Sequence, residues 1–271
     1  MIDPSLPPIR MWLTAPLGHE VAEALGRLQR APDVQRIAVM PDVHLANDIC
    51  VGVVLATLRL IYPQAVGGDI GCGMLAVAAN STAESLLDPK AAGQILARLA
   101  RAIPSRRRNR QTAVAQPVDL DTGELSNARL ESIRRSEGAL EFATLGSGNH
   151  FLELQADDED QIWLMIHSGS RALGQAIRDH HLSGAQVVEG RFRALDAESE
   201  QGAAYLHDLD WARRYATASR QAMASEAEKV IQDTIGARLL WETAITTDHN
   251  HVIPEQHGAA NSGSTGKALW C

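Results

Sequence analysis

Five short stretches of the 271-residue sequence set imidazole, thiol or carboxylate groups among glycine, serine and asparagine. Such composition belongs to loops that present functional groups rather than pack them. In Val66-Gly67-Gly68-Asp69-Ile70-Gly71-Cys72-Gly73, four glycines in seven residues let the backbone turn tightly and approach a ligand. Asp69 and Cys72 stand three apart, so one turn can aim both side chains into the same space. A carboxylate beside a thiolate suits a transition metal such as Zn2+ or Mn2+. A glycine turn with a buried cysteine is the plain alternative.

The other stretches add histidines. Thr144-Leu145-Gly146-Ser147-Gly148-Asn149-His150-Phe151-Leu152-Glu153 delivers Asn149 and His150 at the mouth of a strand. Its glycine loop exposes backbone N–H groups that suit phosphates, though no Lys-Ser/Thr of a P-loop follows. Ile166-His167-Ser168-Gly169-Ser170-Arg171 ends a strand in a histidine, and Ser170 and Arg171 add anion-binding capacity. Thr247-Asp248-His249-Asn250-His251, with Glu255 and His257, places three histidines and two acids in eleven residues. A metal reading is credible there, and a polar loop after a helix stays open for His251 and His257. Met40-Pro41-Asp42-Val43-His44 closes a strand at a proline and follows it with an acid and a histidine; an ordinary turn explains it equally. Taken together, one thiol, a nearby carboxylate and at least three histidines could serve one metal, or two metals sharing the thiolate.

These groups need elements to position them. Residues 151–155 and 162–168 read as strands around the acidic turn 156–160, a hairpin. His150 starts one strand and His167 ends the other, so the hairpin makes them neighbours across a turn remote from both. Strands are also expected at 34–40, ending at Pro41, at 51–60 and at 74–79. Apolar spacing predicts helices at 18–32 (Val21, Leu25, Leu28), 91–103 (Ile95, Leu96, Leu99), 127–138 and 201–237, the last with a stripe of Tyr205, Leu209, Ala212 and Ala216. Residues 104–125 read as a loop, and the tail from His257 is rich in glycine, serine and asparagine. Without a regular βαβ rhythm, the class is α+β.

Composition narrows the field. Hydrophobic residues make 45% of the chain and charged residues 21%, a globular balance that excludes wholesale disorder. No apolar run is long enough to span a membrane, and Met1–Arg10 lacks the basic start and apolar run of a signal peptide, so a cytoplasmic protein with no membrane partner is expected. Three cysteines, Cys50, Cys72 and Cys271, argue against a disulfide framework. The net charge of −8 does not favour nucleic acid. Arg98, Arg101, Arg106, Arg107, Arg108 and Arg110 cut against it locally, as a phosphate-contacting patch or a solvated helix end.

The motifs MPDVH (40–44), VGGDIGCG (66–73), LGSGNHFLE (145–153), IHSGSR (166–171) and His249-Asn250, in this order and spacing, resemble the RtcB family of RNA ligases. The resemblance spans residues 40 to 250. It implies a single catalytic domain over residues 1–271, with an RtcB-like α+β fold of mixed sheets, surrounding helices and a central metal cleft. It also implies a GTP-dependent ligase that uses two Mn2+ ions to join RNA 3′-phosphate or 2′,3′-cyclic phosphate ends to 5′-hydroxyl ends, in tRNA splicing or RNA repair. An archease-like activator is an implied partner. By the same resemblance Asp69, Cys72, His150, His167 and His249 are metal ligands. Cys72 would touch both ions, with Asp69 and His150 on one and His167 and His249 on the other. Asn149, His150, Phe151, Leu152 and Glu153, with His249 and Asn250, would line the guanine nucleotide.

The sequence also departs from the family pattern. The family's guanylylated histidine lies in a His-Gly-Ala-Gly-Arg motif, absent here; His257-Gly258-Ala259-Ala260 lies too close to His249 to replace it. The expectation is a catalytic domain that lacks its C-terminal part, with ligation impaired. A residual Mn2+-dependent cyclic-phosphate phosphohydrolase, or an inactive fragment that binds metal or RNA, are the alternatives. Ser219 stands where relatives usually carry asparagine, and residues 45–50 replace a more glycine-rich stretch.

Overall fold

The computed structural model describes residues 5–46, 49–120, 123–188, 192–257 and 266–270, with side chains described as far as residue 254. In chain order the elements are β1 (Ile9–Met11), α1 (His19–Gln29), β2 (Val34–Ala46), β3 (Ile49–Thr57), β4 (Leu60–Ile61), α2 (Pro63–Val66), β5 (Gly73–Thr82), α3 (Pro89–Ala102), α4 (Ala128–Ile133) and α5 (Ala139–Glu141). Then come β6 (Phe151–Ala156), β7 (Gln161–Ser168), α6 (Arg171–Gly184), β8 (Gln186–Val187), β9 (Arg193–Asp196), α7 (Glu200–Ile235), β10 (Ile245–Asp248), β11 (Ile253–His257) and β12 (Gly266–Trp270). Helices and sheets are mixed without a βαβ repeat, the expected α+β class. No helix among the described residues is long and apolar enough to cross a membrane. The chain divides into two compact units, one of residues 1–68, 177–207 and 251–271, the other of residues 69–176 and 208–250.

The first unit holds a five-stranded sheet of order β1-β2-β3-β12-β11 and a small sheet of order β4-β9-β8. Its core joins Ala24, Leu25 and Leu28 of α1 to Val34, Ile37, Val39, Leu55, Tyr62 and Phe192. Helix α1 stops at Gln29, short of the expected residue 32, because Pro32 disfavours helical geometry in the residue before it. The expectation that a strand ends at Pro41 is corrected. Strand β2 runs on to Ala46, and its pairing with β3 jumps from Val39↔Val53 to His44↔Val51. Proline has no N–H for the ladder, so residues 40–43 bulge out and pairing resumes beyond them. Gly52 (φ 74°) faces this bulge, where a Cβ would meet Asp42 and Val43. His44 is exposed, with Nδ1 2.8 Å from the Asp42 carbonyl.

The second unit is built on an antiparallel sheet of order β10-β5-β7-β6. Strands β6 and β7 form the expected hairpin, with Phe151 opposite His167. Alternation holds on β7: Ile162, Leu164 and Ile166 are buried while Trp163 and Met165 between them are less so. Helix α7 buries the expected Tyr205, Leu209, Ala212 and Ala216, and Gly236 (φ 72°) ends it in the left-handed cap that glycine adopts without strain. Small residues let the chain approach this helix closely: at Gly71 (φ 69°) a Cβ would meet the Arg213 Cα. Helix α3 buries Ile95 and Leu99 but leaves Leu96 69% exposed, so Leu96 is corrected to the solvent face. The helix expected over 127–138 is α4, capped by the Asn127 side chain on the Arg129 N–H, running into a π turn over Arg134–Gly138. The glycine-rich tail at 258–265 lies outside the described residues.

Candidate metal centre

The sheet order explains why four distant segments meet. Strand β10 ends at Asp248, β5 begins at Gly73, β7 ends at Ser168 and β6 begins at Phe151. In an antiparallel sheet of order β10-β5-β7-β6 these four points lie at the same end. His249, Cys72, His167 and His150 therefore line up in strand order. Close packing secures the register. Asp248 pairs with Gly73, and a Cβ at Gly73 would overlap the Thr247 carbonyl.

The turn that carries Asp69 and Cys72 is fastened to the segment after β10. The Cys72 N–H donates to the Asp69 carbonyl (3.0 Å) and closes the turn. The Gly71 N–H donates to the Asn250 carbonyl (2.8 Å), and the His249 N–H to the Cys72 carbonyl (3.0 Å). The Asn250 side-chain amide donates to the Asp69 carbonyl (3.0 Å). The expected nucleotide residue Asn250 thus also holds the turn in place.

Two sets of donor atoms converge on Cys72. Cys72, His167 and His249 form one, and Asp69, Cys72 and His150 the other; within each, the candidate ligand atoms lie within 4.8 Å of one another. Cys72 Sγ is 3.1 Å from His167 Nε2 and 3.5 Å from His150 Nε2, and His150 Nε2 is 2.7 Å from Asp69 Oδ2. Surrounding groups orient these donors. His150 Nδ1 lies 3.0 Å from the Leu145 carbonyl, a pure acceptor, which leaves Nε2 facing Asp69 and Cys72. Asp69 Oδ1 accepts from the Arg171 N–H (2.9 Å), which leaves Oδ2 facing His150. Gly169 is there for space, since a Cβ would lie 2.5 Å from the Asp69 carboxylate.

The electrostatics suit a cation. Burial, and then the neighbouring Asp69, push the Cys72 thiol up to about 12. Burial, His249 and His150 hold His167 below the usual histidine value, so it is a neutral imidazole near pH 7. Burial works to raise Asp69, but its hydrogen bonds and the charges of His150 and Arg171 win and keep it ionised. Imidazoles, one thiol and one carboxylate make a donor set for a borderline divalent ion, whose charge would favour the thiolate that burial disfavours.

The remaining sequence candidates fall in varied places. Asn149 and Glu153 are exposed, and Phe151 and Leu152 half-buried; the Phe151 ring sits 5.4 Å from that of His167. Ser170 Oγ and Arg171 Nε are buried without a hydrogen-bond partner. Asp248 is ion-paired to Arg213 at 2.8 Å. His251 belongs to neither donor set, and the side chains of Glu255 and His257 lie outside the described residues. The arginine run is split. Arg98 pairs with Asp233 and Arg107 with Glu137, each at 2.6 Å. Arg108 is half-buried and donates to the carbonyls of Ala102 and Ala143, so it is corrected to a structural tie; Arg101, Arg106 and Arg110 are exposed. Sequence reasoning missed Arg220, which is buried against the turn before Cys72 and carries no signal in the helical pattern.

Known proteins are similar in sequence to this chain. A family model described as "tRNA-splicing ligase RtcB" matches residues 25–267. The chain belongs to the RtcB family. It is 32% identical to the RNA-splicing ligase RtcB of Escherichia coli K12 over 280 residues, which cover 92% of this chain and 68% of that protein. To the RNA-splicing ligase RtcB of Mycobacterium tuberculosis it is 29% identical, over 80% of this chain and 63% of that one. The tRNA-splicing ligase RtcB of Methanococcus maripaludis is 25% identical, over 89% and 62%. By family, then, the chain is an enzyme of the ligase type. All five metal-ligand candidates fall inside the stretch that the RtcB model matches.

Proposed function

We propose that this chain carries the metal site of a GTP- and Mn2+-dependent RNA ligase acting on 3′-phosphate or 2′,3′-cyclic phosphate and 5′-hydroxyl ends. The observation that carries the reading is the pair of donor sets sharing Cys72 at one end of the sheet. Asp69, Cys72 and His150 would hold one ion, and Cys72, His167 and His249 the other. Bound divalent ions would offset the charge on phosphoryl oxygens during an in-line displacement. The protein's own part is to hold the donors in register through the β5–β7 and β6–β7 ladders. Asn149 through Glu153, with His249 and Asn250, are the residues proposed to meet the guanine nucleotide. The loop before His150 brings glycine N–H groups suited to phosphate.

The test is to incubate the chain with labelled GTP, Mn2+ and RNA pieces bearing the two end types. The 271 residues contain no His-Gly-Ala-Gly-Arg motif, so the expected outcome is guanine-nucleotide and Mn2+ binding with little joining of ends. A stable protein–GMP adduct would show that another residue serves as nucleophile. A second reading has its own support, because both donor sets are complete without that motif. It is Mn2+-dependent opening of 2′,3′-cyclic phosphates, and failure to hydrolyse such an end with Mn2+ present sinks it.

A further inference from the structure

Arg220 is 1% exposed and forms no ion pair among the described residues. Burying a guanidinium in this way is costly unless its charge and N–H groups are used. Its Nη1 donates to two carbonyls at once, those of Gly71 and Ser168, each at 2.8 Å, and Nη2 reaches Thr217 Oγ1 at 3.3 Å. Gly71 immediately precedes Cys72, and Ser168 immediately follows His167. One nitrogen therefore ties the chain just before the shared thiol to the chain just after its nearest imidazole.

We propose that Arg220 is a positioning residue that holds Cys72 and His167 at ligand-sharing distance by clamping the Gly71 and Ser168 carbonyls. The ladder cannot do this alone. Its last β5–β7 pair is Gly73↔Ser168, and at Gly71 (φ 69°) the chain has already left the strand path. Arg220 takes over where backbone pairing stops. A lysine ammonium also carries several N–H groups on one nitrogen, but it lacks the rigid planar fork that fixes two of them on these carbonyls while a second nitrogen reaches Thr217. The adjoining Ser219 Oγ accepts from the Ala143 N–H (3.0 Å), which fixes this turn of α7 from a second side.

The inference rests on the metal reading above, and the experiment separates the two. Co2+ is titrated into the full chain while the thiolate-to-Co2+ absorption in the near ultraviolet is followed. The parent chain shows the band and the C72A variant loses it; a parent without the band overturns both readings. R220K and R220Q are compared with R134K, which alters another buried arginine, one paired to Glu131. R220K and R220Q are expected to weaken Co2+ binding about tenfold or more and to shift the band. R134K is expected to lower the melting temperature and leave the Co2+ affinity and spectrum alone. Parental affinity and spectrum in folded R220K and R220Q overturn the inference. So does an equal spectral change in R134K, or the absence of any cooperative melt in both Arg220 variants, since the residue would then be structural only.

Discussion

Cys72 Sγ lies 3.1 Å from His167 Nε2, although 95 positions separate the two residues. They meet because β5 begins and β7 ends at the same end of one sheet, with Met74 opposite His167. A buried thiol against an imidazole that burial keeps neutral is a ligand pair waiting for a cation.

Sharing of Cys72 fixes how metal stoichiometry responds to mutation. C72A should abolish binding of both ions, while H249A and D69N should each leave one. The check is metal content by mass spectrometry after Mn2+ loading and desalting. Equal losses in all three variants would indicate a single ion.

Metal affinity should rise with pH. The metal-free thiol is pushed up to about 12, so at lower pH the first ion that takes the shared thiolate must displace its one proton. Affinity should then rise about tenfold per pH unit for each proton released, across the neutral range. Co2+ dissociation constants measured between about pH 6 and 8 give the slope. A slope near zero in the parent chain would contradict a thiolate ligand.

Gly169→Ala tests the space around Asp69. The added methyl would meet the carboxylate and force Asp69 away from His150. The expected result is loss of the ion on the Asp69 side and retention of the other. The overpacking should cost about 1–3 kcal/mol of stability, read from denaturant melts.

Glu131 gives the fold an acid limit. The hydrogen bond from Arg134, opposed by burial and aided by the Leu125 N–H and Arg135, holds its carboxyl down at about 2. A carboxyl depressed in the folded state stabilises the protein above the ordinary value of 4.5 and loses that contribution as pH falls toward about 2. Glu131→Gln should cost about 3 kcal/mol at neutral pH by stranding the buried Arg134, and should flatten the acid limb of stability. Urea melts at neutral and acid pH would show both effects.

The arginine run should divide in the same way that the structure divides it. Replacing Arg101, Arg106 and Arg110 with alanine is expected to weaken RNA binding and reduce its salt dependence by about 0.7 in slope per lost contact. Arg108→Ala should instead lower stability by about 1–3 kcal/mol, since carbonyls of Ala102 and Ala143 lose their donor. Unchanged RNA affinity in the triple variant would discard the patch.

Much of the site could be read along the chain because its motifs are local. The three-residue spacing of Asp69 and Cys72 makes one turn, and the hairpin 151–168 brings His150 to His167 by geometry alone. Helix α7 was legible from its apolar stripe. Pro41 was not, because whether a proline ends a strand or bulges it depends on the partner strand, here on Gly52 giving way. Leu96 misled because adjacent leucine and isoleucine fit helical spacing on either face, and only packing chooses between them.

The sequence by itself determined which candidate groups stand in loops or at strand ends: one thiol, one carboxylate and three imidazoles, in an order that resembles the RtcB family. Those are properties of residue type and short spacing, which the covalent chain preserves. Only the tertiary structure decided that these ends coincide, which brings together in space the two donor sets around Cys72 that the resemblance implies. It also decided that the guanidinium of Arg220, 149 positions from Gly71, spans the gap where the β5–β7 ladder ends. Such long-range relations follow from strand order and close packing, for which no local pattern in the chain carries a signal.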